Sequence, residues 1–135
     1  MEKRKGFTLI ELMVVILIVS ILAGVAIPLM QGRIDAAKWS EANAAAGTIR
    51  TAVRAYFAED PVAAQALGGS SLGTDTVRNT LGFNVADLTG TYFAPGNYTI
   101  SAVDASGHAT IAVSAGTGLT GSYTLNADGS WVKGS

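Results

Sequence analysis

Lys3-Arg4-Lys5-Gly6-Phe7-Thr8-Leu9-Ile10-Glu11 opens a run that stays almost wholly apolar as far as Met30. The stretch from Phe7 to Met30 is about 24 residues long, and about 20 residues of helix suffice to cross a hydrocarbon core. Lys3, Arg4 and Lys5 precede it and no comparable basic cluster follows closely. The positive-inside bias then places the N-terminus in the cytoplasm and the bulk of the chain outside. Glu11 is the anomaly, because an ionised group in a bilayer costs about 2.5 to 3.5 kcal/mol even on lenient insertion scales. It reads as a carboxylate awaiting a partner; the plainer reading has it snorkel to the headgroups. Gly24-Val25-Ala26 offers an ordinary signal peptidase a small-x-small triplet. Against that, the apolar run continues past the triplet, and a carboxylate near the start of an h-region is unusual.

Working outward, 135 residues leave room for one domain. The net charge of -1 conceals an asymmetry: three bases and one acid precede Phe7, so the remainder holds six bases against nine acids. That balance does not describe a nucleic-acid surface. With no cysteine, an exported domain of this size must hold by packing, without the disulfides common in small secreted folds.

From Phe7 to about Ala58 the pattern predicts a long helix. At about 1.5 Å per residue, roughly 52 residues would extend about 78 Å, so lipid or other subunits must cover much of it. Its weak point is Pro28, which lacks an N–H and clashes with the preceding turn. With Ser20 and Gly24 upstream, the segment from Ser20 to Pro28 is where the helix would bend or unwind. Farther on, Ile34, Ala37, Ala45, Ile49, Val53 and Tyr56 form an apolar face, set against Arg33, Asp35, Glu41, Arg50 and Arg54. Glu59-Asp60-Pro61 ends the helix. Ala63 to Asp75 reads as a loop, and Thr76 to Leu81 as a short helical turn capped by Asp75. From Asn97 the period becomes two: Tyr98, Ile100 and Ala102, then Ala109, Ile111 and Val113, then Tyr123 and Leu125 alternate with polar residues. Asp104-Ala105-Ser106-Gly107 and Asp128-Gly129 are the turns between them. The expectation is an α+β fold in which an antiparallel sheet of three or four strands is covered by the C-terminal half of the helix.

Gly6-Phe7-Thr8-Leu9-Ile10-Glu11-Leu12 resembles the prepilin peptidase motif of type IV pilins and type II secretion pseudopilins. The basic leader, the Glu five positions into the mature chain, a Pro in the same helix and a C-terminal sheet resemble that architecture in outline. The sequence likeness is strong only over about Lys5 to Pro28. The resemblance implies cleavage between Gly6 and Phe7, methylation of the new Phe7 amine, and pairing of Glu11 with the Phe7 amine of a neighbouring subunit. It divides the chain into a leader (1–6), a membrane and filament-core helix (7–30), the amphipathic half of the helix (31–60), a connecting region (61–96) and the sheet (97–135). Many pilins close their C-terminal loop with a cystine; without cysteine, this chain must fasten its end in another way.

The expected function is therefore that of a filament subunit without catalysis, cofactor or metal. Its partners would be further copies of itself, prepilin peptidase, the assembly machinery and, before assembly, the inner membrane. It would end in a surface pilus or, as a pseudopilin, in a periplasmic pseudopilus. A membrane-anchored minor or tip subunit displaying the sheet is a second class, and an exported enzyme a third. His108, the only histidine, reads as exposed at a strand start, since no oriented nucleophile or second carboxylate stands beside it. Asp128, Asn126 and Ser130 offer too few oxygens for the six to eight that calcium takes. Trp39, Tyr56 and Phe57 read as packing and not as a charge-conducting stripe.

Overall fold

The computed structural model describes residues 2–134. It resolves into two compact units, one up to Ala36 and one from Ala37 onward. Helix α1, Leu9–Glu59, contributes to both.

In the first unit, residues 2–8 have no regular structure and α1 follows. Between Phe7 and Met30 the large apolar side chains range from 50% exposed at Val14 to 88% at Phe7. Among the described residues α1 is the one helix long and apolar enough to cross a membrane, with a mean hydropathy of 2.9 over its most apolar window. An apolar face with no protein cover is the reverse of a soluble core helix.

The second unit surrounds the remainder of α1. After it come α2 (Pro61–Gln65), β1 (Ser70–Ser71), α3 (Asp75–Thr80) and 3-10 turns at Val85–Leu88 and Pro95–Asn97. Strands β2 (Tyr98–Val103), β3 (Ala109–Ser114), β4 (Ser122–Leu125) and β5 (Trp131–Lys133) complete it. The strands pair in chain order, each antiparallel to the next, as a five-stranded meander. Two cross-strand rows face the helix. Ile100 lies opposite Ile111, Ile111 opposite Leu125 and Leu125 opposite Trp131, while Tyr98, Val113 and Tyr123 form the second row. Against them α1 buries Trp39, Ala42, Ala46, Ile49 and Val53. The alternating three- and four-residue steps are those of a helix face packed on a sheet.

Several local expectations change. The helical period holds but its phase differs: Ile34 is exposed and Ala45 and Tyr56 are only half-buried. Trp39, Ala42 and Ala46 carry the contact instead, because Trp39 docks against Phe93 and Tyr123 with ring centroids 5.2 and 4.5 Å away. Ala102 was expected to face inward with Tyr98 and Ile100, yet it is exposed. A register shift between Ile100 and Ala102 inserts Ser101 into β2 and moves every later residue to the other face. The stretch from Ala63 to Asp75 is not a plain loop, since α2 enters it and β1 adds an edge strand; the latter raises the sheet to five strands. Asp60 caps α2 by accepting from the N–H groups of Val62 and Ala63 at 3.1 and 3.0 Å. Asp75 is the first residue of α3 and not its cap, a position held by Thr74. Its carboxylate pairs with Arg78, whose other nitrogen donates to the Leu72 carbonyl at 2.6 Å.

Two charges read as solvated are structural. Glu41 accepts from the backbone N–H groups of Thr91, Tyr92 and Phe93 at 3.2, 3.0 and 3.3 Å, tying α1 to the segment before β2. Gly90 belongs to this clasp, because a Cβ there would stand 2.1 Å from Glu41 Oε1. Arg50 donates to the Ala127 carbonyl in the β4–β5 turn. The fastening of the C-terminal end follows: Trp131 stacks on Tyr123 at 5.0 Å and 12°, and the Gly134 N–H donates to Ser122 O at 2.8 Å. Stacked aromatics and a hairpin hold the end of the described chain without a covalent link. Burial pushes the Tyr98 phenol up to about 12, with the nearby Glu41 carboxylate adding to the shift.

Candidate functional site

Gly6 and Phe7 lie in the irregular segment, two residues before α1 begins. Both are exposed, and a Cβ on Gly6 would meet nothing within 4 Å. The Gly6–Phe7 peptide bond therefore lies outside the helix. Gly6 also presents no side chain to obstruct it.

Thr8 and Glu11 form a reciprocal pair just beyond that bond. The Thr8 N–H donates to Glu11 Oε2 at 2.9 Å, and the Glu11 N–H donates to Thr8 Oγ1 at 3.3 Å. The Thr8 carbonyl accepts from the Leu12 N–H at 3.3 Å, which makes Thr8 the last residue outside the helix. This is a capping box: two helix-end donors without an intrahelical partner are satisfied by two side chains three residues apart. The carboxylate also sits in the first turn, where the helix dipole favours negative charge. The Glu11 carboxylate is thus not bare within the single chain. Around it Phe7, Ile10, Leu12, Val14 and Val15 line an apolar groove of about 650 Å³. Thr8 was passed over in the sequence, although Thr-x-x-Glu ahead of an apolar run is the signature of this box.

Ser20, Gly24 and Pro28 lie within α1, which is continuous through Pro28. Ser20 Oγ donates to the Ile16 carbonyl at 2.6 Å, a side-chain bond that competes within the ladder and tends to bend a helix. Pro28 has no N–H for the carbonyl four residues before it, which is that of Gly24. A Cβ on Gly24 would meet nothing within 4 Å, so no packing in the single chain explains its smallness. The three residues concentrate weakened backbone bonding between Ile16 and Pro28 without breaking the helix.

The family model for the prokaryotic N-terminal methylation motif matches residues 1–27, the segment that holds the Gly6–Phe7 bond and the capping box. The chain is 44% identical over 61 residues to a fimbrial protein, EcpC, of Eikenella corrodens, covering 45% of this chain and 40% of that protein. Over its N-terminal segment the chain is similar to type IV fimbrial and pilin proteins. The chain is also 48% identical over 50 residues to the type IV major fimbrial protein FimA of Dichelobacter nodosus, covering 37% of this chain and 32% of that one. A type IV major pilin protein of Neisseria gonorrhoeae, PilE1, is 52% identical over 54 residues, covering 40% and 33%. The chain thus spans less than half the length of these curated relatives. No solved structure matches it significantly.

The remaining candidates have local roles. His108 is half-buried, its Nδ1 3.4 Å from Asp104 Oδ2, while Asp104 Oδ1 accepts from the N–H groups of Ser106 and His108 at 2.8 Å each. These bonds, that from His108 foremost, hold the Asp104 carboxyl below the usual range. Asp128 Oδ1 accepts from both the N–H and the hydroxyl of Ser130, at 2.8 and 2.7 Å, and Asn126 donates to that hydroxyl at 2.9 Å. The Ser130 bonds lower the Asp128 carboxyl in the same way, and Arg50 contributes. Two of the oxygens considered for calcium, Asp128 Oδ1 and Ser130 Oγ, are therefore engaged in closing a turn. Trp39 belongs to the core, and Phe57 packs over Gly107, where a Cβ would stand 2.6 Å from its ring.

Proposed function

We propose that this chain is the structural subunit of a bacterial type IV pilus, made as an inner-membrane precursor with its N-terminus in the cytoplasm. The observation that carries this reading is the capping box of Thr8 and Glu11 placed between an accessible Gly6–Phe7 bond and an uncovered apolar helix. Relatives named as fimbrial proteins and major pilins support it.

Prepilin peptidase removes residues 1–6, and Phe7 becomes a methylated amine close to the carboxylate. In the membrane the capping box gives the Glu11 carboxylate one donor, the Thr8 N–H, and lowers the cost of burying it. On assembly the carboxylate turns to the Phe7 amine of an adjoining subunit, exchanging a bond from a neutral amide for an ion pair in which both partners are charged. The ion pair fixes register, and the helices of residues 7–30 supply the apolar area of the filament core. Between Ser20 and Pro28 the helix loses backbone bonds as neighbouring subunits re-cover it. Contacts that repeat along a screw axis make an open polymer, so no catalytic step is required.

Electron microscopy of material sheared from the cell surface, joined to mass spectrometry of its subunit, tests the reading. The expected result is long fibres whose subunit begins at a methylated Phe7. Fibres whose subunit retains Met1 or begins after Ala26 would overturn the processing step. Subunit confined to the periplasm, with no surface fibre, would overturn the pilus itself.

A further inference from the structure

Two grooves flank the sheet-bound face of α1 within the second unit, and their chemistry is complementary. One, of about 210 Å³, is lined by Gly47, Arg50, Thr51 and Arg54. The other, of about 380 Å³, is lined by Ala52, Ala55, Tyr56, Glu59, Thr80, Leu81 and Gly82. Each set of helix residues repeats at three and four steps, so each marks one face of α1. The two faces are turned about 140° from each other by their five-residue offset. The buried face, with Ala46, Ile49 and Val53, lies between them on the sheet side.

The basic groove has one committed arginine and one uncommitted. Arg50 is held by the Ala127 carbonyl. Arg54 is exposed, and no hydrogen bond or ion pair occupies it among the described residues. Opposite, Glu59 is exposed and likewise without a side-chain partner, with the half-buried Tyr56 one turn before it. A carboxylate beside an aromatic ring is a receptor suited to a guanidinium, which pairs with the acid and stacks on the ring face. A single chain cannot close this contact, because donor and receptor point away from each other around one helix. A second copy can.

We propose that Arg54 of one copy docks into the Tyr56–Glu59 groove of the next. The contact rests on the filament reading given above and extends it to the part of the subunit outside the membrane segment. It is heterologous, joining one flank to the other flank of a different copy, so it propagates without closing. Five residues separate Arg54 from Glu59, or about 7.5 Å along the axis, and a parallel neighbour displaced by that amount brings them level. One exposed ion pair adds little by itself. Repetition at every subunit, and the repulsion of wrongly placed neighbours, give it its effect on assembly.

The test is a charge swap in the full-length chain, read as the yield of sheared filaments against the level of membrane-bound subunit. Fibres from the unaltered chain must first be present; their absence would count against the filament reading and not against this contact. Arg54→Glu and Glu59→Arg are each expected to lower fibre yield by roughly tenfold, because each sets like charges together at every junction. Combining the two restores the pair in reverse and should return the yield to within about threefold of the original. A loss caused by misfolding would not be rescued in this way, so a double variant as poor as the single ones overturns the contact. Single variants that assemble normally overturn it as well.

Discussion

The two halves of α1 show what one helix can be asked to do in two settings. Up to Met30 its large apolar residues surround the whole circumference and all are exposed; from Trp39 to Val53 the large apolar residues lie on one stripe and that stripe is buried. The first half has no cover within the chain, and the second is covered by its own sheet. The energetics differ accordingly. A change in the second half should act on the folding of the subunit, and a change in the first on what the subunit joins.

The largest expected separation of the two comes from Glu11→Ala. Membrane insertion should be intact or improved, since the costly group is gone. Fibre formation should collapse, because the neighbouring amine is left buried and unpaired, a loss of about 3 to 5 kcal/mol. Quantifying membrane subunit and sheared fibres in the same cells checks both, and normal assembly would show that apolar shape alone sets register.

Trp39→Ala reverses the pattern. It removes the ring that meets Phe93, Tyr123 and Trp131, and truncating such a core aromatic costs about 3 to 5 kcal/mol. Thermal unfolding of the detergent-solubilised subunit should shift down sharply, whereas Ile18→Val in the other half should leave it unchanged.

Glu41→Ala should be intermediate. Three backbone N–H groups lose their charged acceptor, and bonds to charged groups contribute about 1.5 to 3 kcal/mol. Hydrogen exchange is the sharper readout: amides of Thr91, Tyr92 and Phe93 should speed up more than those of β3.

The smallest effects are those of pH, and all fall in the second half. Tyr98 titrates at about 12 in the folded chain against 10.0 ordinarily. Its contribution is therefore complete below pH 10 and is lost as pH climbs toward 12; Tyr98→Phe should abolish that alkaline loss. Asp104 and Asp128 lie below their ordinary 3.8. They contribute above that value and lose the contribution as pH falls past it toward their folded values. Replacing both with Asn should flatten the acid limb of a melting-temperature profile.

Much of this was legible in residue order. The long apolar first half of α1, the irregular segment ahead of it and the place of Glu11 in its first turn are local patterns, for which length, charge and hydropathy suffice. The end of α1 at Glu59 and the alternation of Tyr98, Ile100, Ile111 and Val113 are equally local, set by a proline and by the pleat. Even the Thr8–Glu11 box is a three-residue spacing.

What only tertiary structure decided involves residues that meet across long separations. The helix period was plain, but which flank faces the sheet depended on where Trp39 finds aromatic partners more than fifty residues away. The inserted Ser101 altered no local pattern and still turned Ala102 outward. Glu41 and Arg50 looked like solvated charges until the loop at Thr91–Phe93 and the turn at Ala127 were brought against them. A charged side chain on a helix carries no mark of its future partner, since a backbone amide or carbonyl elsewhere in the chain is the same group in every residue but proline. Proximity alone selects it, and proximity belongs to the fold.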